Sequence, residues 1–128
     1  EGLDQVLWPD HCVQGTKGAE IAADVDVGRI DRIFEKGTER SIDSYSALFD
    51  NARRRSTGMS EYLKEQGVTE LALMGLATDY CVKFTALDAV DLGFRVTLIT
   101  RGCRGVELNS GDIEHAIEEM RAAGVLIK

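Results

Sequence analysis

The sequence predicts an α/β fold built on a mostly parallel, buried sheet, and three observations carry that prediction. Apolar runs of strand length alternate with amphipathic stretches of helix length from residue 57 to the end. The joints between them are short, as in βαβ units. With 44% apolar residues over 128 positions, one packed domain spanning residues 1 to 128 is expected, with no repeat or internal boundary.

Residues 1 to 28 hold most of the loop signals: Trp8-Pro9 with the sole proline, then Gly15, Gly18 and Gly28. In "RIDRIFEKG" (29 to 37), Ile30, Ile33 and Phe34 predict a short strand, 30 to 36, that leaves at Lys36. "SYSALFDNARRRSTG" (44 to 58) reads as a polar loop with a short helix. The next helix, within 57 to 67, is better marked, with Met59, Tyr62 and Leu63 on one face, Thr57 as cap and Gly67 as left-handed exit. "ELALM" (70 to 74) has the length of a buried strand, and the helix over 78 to 93 carries Val82, Ala86, Ala89 and Val90 on one stripe. "RVTLIT" (95 to 100) is again strand. A last helix over 110 to 124 aligns Ile113, Ala116, Ile117 and Met120, and "GVLIK" begins a further strand. The chain opens without methionine or a complete element and stops inside that strand, so a chain cut at both ends is expected.

A formal charge of −7, with 15 basic against 22 acidic residues, disfavours nucleic acid or an acidic membrane surface as partner. Arg53-Arg54-Arg55, the one dense basic run, reads as a solvated face. No apolar run approaches the ~18 residues of a membrane span, and no signal segment opens the chain, so a cytoplasmic location is expected. Three cysteines (Cys12, Cys81, Cys103) at irregular spacing suit neither a disulfide framework nor a CxxC zinc site.

In a parallel sheet, ligands bind where strands end and helices begin, which is where Cys81 lies in "LMGLATDYCV". If Thr78 caps the helix, Cys81 falls near its third position, where unpaired N–H groups and the helix dipole favour a thiolate and an oxyanion. The competing reading is a small buried thiol that packs under the joint, and position alone does not decide between them. Lys36, ending a strand at the same sheet edge, is a candidate cation, although a lysine there is more commonly a solvated charge. His11, in "WPDHC", is one histidine in a loop, and one ligand cannot hold a metal. Cys12, Cys103 and His115 carry weaker cases. "GLAT" after a strand lacks the G-x-G-x-x-G of a dinucleotide turn.

Taken together and in order, "WPDHCVQGTKGAE", "FEKGTERSIDSYSALFDN", "LMGLATDYCVKFTALDAV" and "ITRGCRGV" closely resemble the nicotinamidases, or pyrazinamidases, of the isochorismatase-like cysteine hydrolase superfamily. The resemblance implies a three-layer α/β/α fold and hydrolysis of nicotinamide to nicotinate and ammonia through a cysteine thioester, within NAD salvage. It implies Cys81 as nucleophile, Lys36 as the lysine of a Cys-Asp-Lys triad, and Trp8 and Tyr45 around the pyridine ring. It also implies His11 as one ligand of a divalent metal (zinc, iron or manganese) and a cis peptide at Leu76-Ala77. That bond would let the N–H groups of Ala77 and Cys81 form the oxyanion hole. Homo-oligomerisation is left open.

The departures are equally specific. The family's triad aspartate and its D-x-H metal ligands match no residue here, and Arg101 stands where the family's "DGC" has aspartate. With sheet order 3-2-1-4-5-6, the first two strands would be missing between strand 30 to 36 and strand 70 to 74, leaving two edges facing a gap unless these two strands pair directly. Two other functions compete: a related cysteine hydrolase of a ureido or carbamoyl compound, and a non-catalytic fragment.

Overall fold

The computed structural model describes residues 3–128, and its regular part starts at Met59. Helix α1 (Met59–Glu65) leads to strand β1 (Glu70–Leu76), and a π-helical turn (Thr78–Val82) runs directly into helix α2 (Lys83–Asp91). Strand β2 (Arg95–Arg104), helix α3 (Asp112–Ala122) and strand β3 (Leu126–Ile127) complete it. The strands form one parallel sheet in the order β1-β2-β3. Among the described residues before Met59, the regular structure is two 3-10 turns, Lys17–Ala19 and Val27–Arg29, and an isolated antiparallel bridge between Phe49 and Ser56.

The alternation follows from apolar stripes and a repeated exit. Val82, Ala86 and Ala89 bury one face of the turn and α2, and Ala116 and Met120 bury one face of α3. They pack against Val96 and Leu98 of β2, with Leu98 and Met120 wholly buried. Each such side chain stabilises the fold by roughly 1.5–3 kcal/mol. α2 stops at Gly93, whose φ of +89° suits a residue without Cβ, and Phe94 donates its N–H to Ala89 O at 3.0 Å, turning the chain into β2. The same closure recurs after α1, where Val68 N–H bonds Leu63 O, and after α3, where Val125 N–H bonds Met120 O.

β1 and β2 stay in register from Glu70↔Arg95 to Leu73↔Leu98 and resume at Gly75↔Cys103. Over that gap β1 advances two residues (73 to 75) while β2 advances five (98 to 103), so β2 bulges. Gly102 sits in the bulge, where a Cβ would lie 2.8 Å from Met74 Sδ. The strand predicted over 95 to 100 therefore continues to Arg104 and takes in Cys103. Cys103 is buried there, bonded to Ile99 O at 3.3 Å. Arg101 is exposed, and nothing in the structure explains its replacement of aspartate.

Several expectations differ from the structure. Residues 30 to 36 form no strand, because a strand requires a ladder partner and none of the described residues pairs with them. The direct pairing with β1 is absent as well. β1 is instead the outer strand of the sheet, half-buried at best, with Met74 and Leu76 exposed. No helix forms in 44 to 58: the Asp50 carboxylate accepts N–H bonds from Ala52, Arg54 and Arg55 at 2.9–3.0 Å, replacing helical bonds with a tight turn. Gly58, not Thr57, is the N-cap of α1, although Thr57 Oγ1 accepts from Met59 N–H at 3.3 Å. Ala77, not Thr78, precedes the first helical turn, which puts Cys81 fourth in the π-helical segment. No helix among the described residues is long and apolar enough to cross a membrane.

Candidate active site

The turn between β1 and α2 is the point where the two halves of the chain meet. The Leu76-Ala77 peptide bond is cis. Ala77 O then accepts from Tyr80 N–H at 3.1 Å and Val82 N–H at 3.0 Å, which widens the first turn into a π-helix. Cys81 is half-buried in that turn. Asp79, two residues earlier and 6% exposed, accepts N–H bonds from Val106 at 2.9 Å and Glu107 at 2.8 Å, tying the turn to the loop after β2. That loop approaches closely because of Gly105, where a Cβ would collide with the side chain of Ile113.

Lys36 reaches the turn from the irregular half. Its Nζ donates to Cys81 Sγ at 3.3 Å and to Ser44 O at 2.6 Å. The contact places a positively charged donor directly beside the sulfur. Lys36 thus contacts the thiol, and it arrives on a segment that is not a strand. Ser44 is itself fixed by its hydroxyl, which donates to Phe49 O at 2.8 Å.

Tyr80, the residue before Cys81, belongs to an aromatic cluster. Trp8 Nε1 donates to Tyr45 Oη at 3.1 Å, and Tyr80 meets both rings edge-on, with centroids 4.9 Å from Trp8 and 5.4 Å from Tyr45. Phe84 stacks on Tyr45 at 5.4 Å. Burial pushes the Tyr80 phenol above its ordinary value, and the neighbouring Asp79 carboxylate pushes the same way. Sequence reasoning named Trp8 and Tyr45 and missed Tyr80 and Phe84. Their signal was available, since one directly precedes the cysteine and the other follows it by three positions on the same helical side.

His11 lies in a groove of about 310 Å³ that Trp8, Gly37, Glu39 and Asp43 also line. Its Nδ1 is 2.6 Å from Pro9 O, a carbonyl that only accepts, so Nδ1 is the donor and Nε2 is the nitrogen left for a ligand. That tautomer suits a metal ligand. Yet no group of three His, Cys, Asp or Glu side chains able to hold a metal ion occurs among the described residues, so His11 alone does not build the expected site.

The isochorismatase domain family matches residues 2–127. The nicotinamidase of Escherichia coli (strain K12) is 50% identical over 127 residues, covering 99% of this chain and 60% of that protein. Among solved structures, PnC1 from L. infantum in complex with nicotinate superposes with a TM-score of 0.90 at 35% identity, over 95% of this chain and 60% of that one. The pyrazinamidase of Pyrococcus horikoshii in complex with zinc gives 0.81 at 36% identity, over 95% and 63%. The chain thus spans about three fifths of the length of curated relatives such as these. With a family match over nearly every residue and a fold shared with these structures, the chain belongs to the isochorismatase domain family.

Proposed function

We propose that this chain is part of a nicotinamidase-type amidohydrolase, with Cys81 as nucleophile. The observation that carries the reading is the Lys36 ammonium 3.3 Å from Cys81 Sγ, in a helix-initiating turn flanked by Trp8, Tyr45 and Tyr80. Similarity to a nicotinamidase and to a nicotinate-bound structure supports nicotinamide as substrate, with pyrazinamide as an analogue.

In the proposed reaction the thiolate adds to the carboxamide carbon, forming a C–S bond and a tetrahedral oxyanion beside the N–H groups of Ala77 and Cys81. The C–N bond breaks, and the amine takes up the proton given up by the thiol and leaves as ammonia. Water then adds to the thioester carbon, the C–S bond breaks, and nicotinate and the thiol are released. No described residue is assigned to the proton transfers. The aromatic cluster orients the pyridine ring and excludes water from one side of the thioester. A divalent metal enters the proposal only through His11 as one donor, and no step is routed through it. A cytoplasmic setting within NAD salvage belongs to the same proposal.

Ammonia release from nicotinamide by the full-length gene product tests it. Cys81→Ala is expected to abolish turnover and Lys36→Met to lower kcat by at least about 100-fold. Full activity in Cys81→Ala, or turnover of ureido compounds with none of nicotinamide, overturns the reading.

A further inference from the structure

Thr85 is a buried hydroxyl one turn beyond Cys81, and its oxygen serves two separate elements. Thr85 Oγ1 donates to Cys81 O at 2.6 Å and accepts the N–H of Ala47 at 2.9 Å. The first bond is local to the helix. The second crosses to the irregular segment that carries Ser44 and Tyr45.

Together with the contacts of Lys36, these bonds close a ring. Cys81 Sγ accepts from Lys36 Nζ, Lys36 Nζ donates to Ser44 O, three residues of backbone lead to Ala47 N–H, and Thr85 Oγ1 returns to Cys81 O. Segment 44 to 47 is thus held to the nucleophile at both ends, by the lysine and by the threonine. Ala47 is fixed from the other side too, since its carbonyl accepts from Thr57 Oγ1 at 2.6 Å. Ser44 and Ser46 are buried and hydrogen-bonded, so a displacement at Ala47 is transmitted to Ser44 O rather than absorbed.

We propose that Thr85 is a positioning residue: through Ala47 and Ser44 it sets the contact between Lys36 and the Cys81 thiol. The inference rests on Cys81 being the reactive thiol of the proposed hydrolase. The Thr85 hydroxyl bonds the Cys81 carbonyl rather than its sulfur, and it acts only by fixing the segment that holds the lysine. Thr85→Val keeps the shape, removes both hydrogen bonds and leaves the half-buried Ala47 N–H without this acceptor. Thr85→Ser keeps the oxygen.

The test is the rate at which iodoacetamide alkylates Cys81 in the full-length gene product, resolved from Cys12 and Cys103 by peptide mass spectrometry, with nicotinamide turnover measured in parallel. Thr85→Val is expected to slow Cys81 alkylation by about fivefold, and Thr85→Ser to restore the parent rate. In a Lys36→Met background, Thr85→Val is expected to add less than about a twofold change, because both act through one contact. Thr85→Ala provides the same reading if the Val variant loses its thermal transition. An unchanged rate in a folded Thr85 variant, or an equal slowing with and without Lys36, overturns the proposal. A parent protein that alkylates at Cys81 but releases no ammonia instead counts against the hydrolase reading alone.

Discussion

The two halves of this chain are held by different physics. From Met59 onward, apolar faces close on one another around Leu98 and Met120. Over residues 3 to 43 no side chain is buried, and this region is attached to the rest by exposed or half-buried contacts: hydrogen bonds from Trp8 to Tyr45 and from Lys36 to Ser44 and Cys81, the Arg55–Glu39 ion pair, and the ring contacts Trp8–Tyr80 and Phe34–Tyr62. Residues 44 to 57 are the hinge between these regimes, contributing one core side chain, Leu48, beside buried Ser44 and Ser46. A thiol anchored at the edge of a packed core, with a lysine delivered by polar ties, is the result. The core fixes where the thiol is, and the ties fix what it meets.

The sharpest way to break this comparison is to remove one apolar side chain from each half. Leu98→Ala leaves a cavity at the centre of the sheet and is expected to cost about 2–5 kcal/mol of unfolding free energy. Ile33→Ala, at a position 55% exposed, is expected to change it by less than about 0.5 kcal/mol. Urea denaturation of both variants measures the difference. Equal losses would mean that residues 30 to 36 belong to the same cooperative core.

A smaller effect probes a polar tie inside the packed half. Asp79→Ala removes the acceptor for two backbone N–H groups, those of Val106 and Glu107, and is expected to destabilise by about 1–3 kcal/mol. Hydrogen exchange distinguishes this from core damage, since the amides of residues 106 and 107 lose protection while those of β2 around Leu98 keep it.

The contrast also explains what was legible in the sequence. β1, α2, β2 and α3 could be located because burial imposes a period on apolar residues, and that period survives in one-dimensional text. The Cys81 turn was readable for the same reason, as the joint between two periodic segments. Residues 30 to 36 were misjudged because β-structure is a property of a pair of segments, and Ile30, Ile33 and Phe34 say nothing about a partner. The absent helix in 44 to 58 has another cause. Asp50 satisfies three backbone amides with its side chain, a competition that propensity does not register. Asp79 and Thr85 were passed over because their partners lie 27 and 38 positions away, with no spacing rule to connect them.

The smallest expected effect concerns the start of α1, where the packed half begins with a polar device. Glu61, in the first turn, accepts the hydroxyls of Ser56 and Ser60, each at 2.9 Å, and Ser56 Oγ accepts in turn from Gly58 N–H at 3.0 Å. The Glu61 carboxyl is held below its ordinary value, first by its own backbone N–H and then by these two hydroxyls, against a small opposing effect of desolvation. A carboxyl whose folded value is lowered adds stability above its unfolded value and loses it as pH falls through the folded one. Glu61→Gln keeps an acceptor and removes the charge. Its melting temperature is therefore expected to lie slightly below that of the parent at neutral pH, with the gap closing as acid protonates Glu61 in the parent. Since the side chain is open to solvent, salt is expected to narrow the gap as well. A gap that persists unchanged in acid would show that the hydroxyl bonds, rather than the carboxylate charge at the helix start, are what α1 draws on.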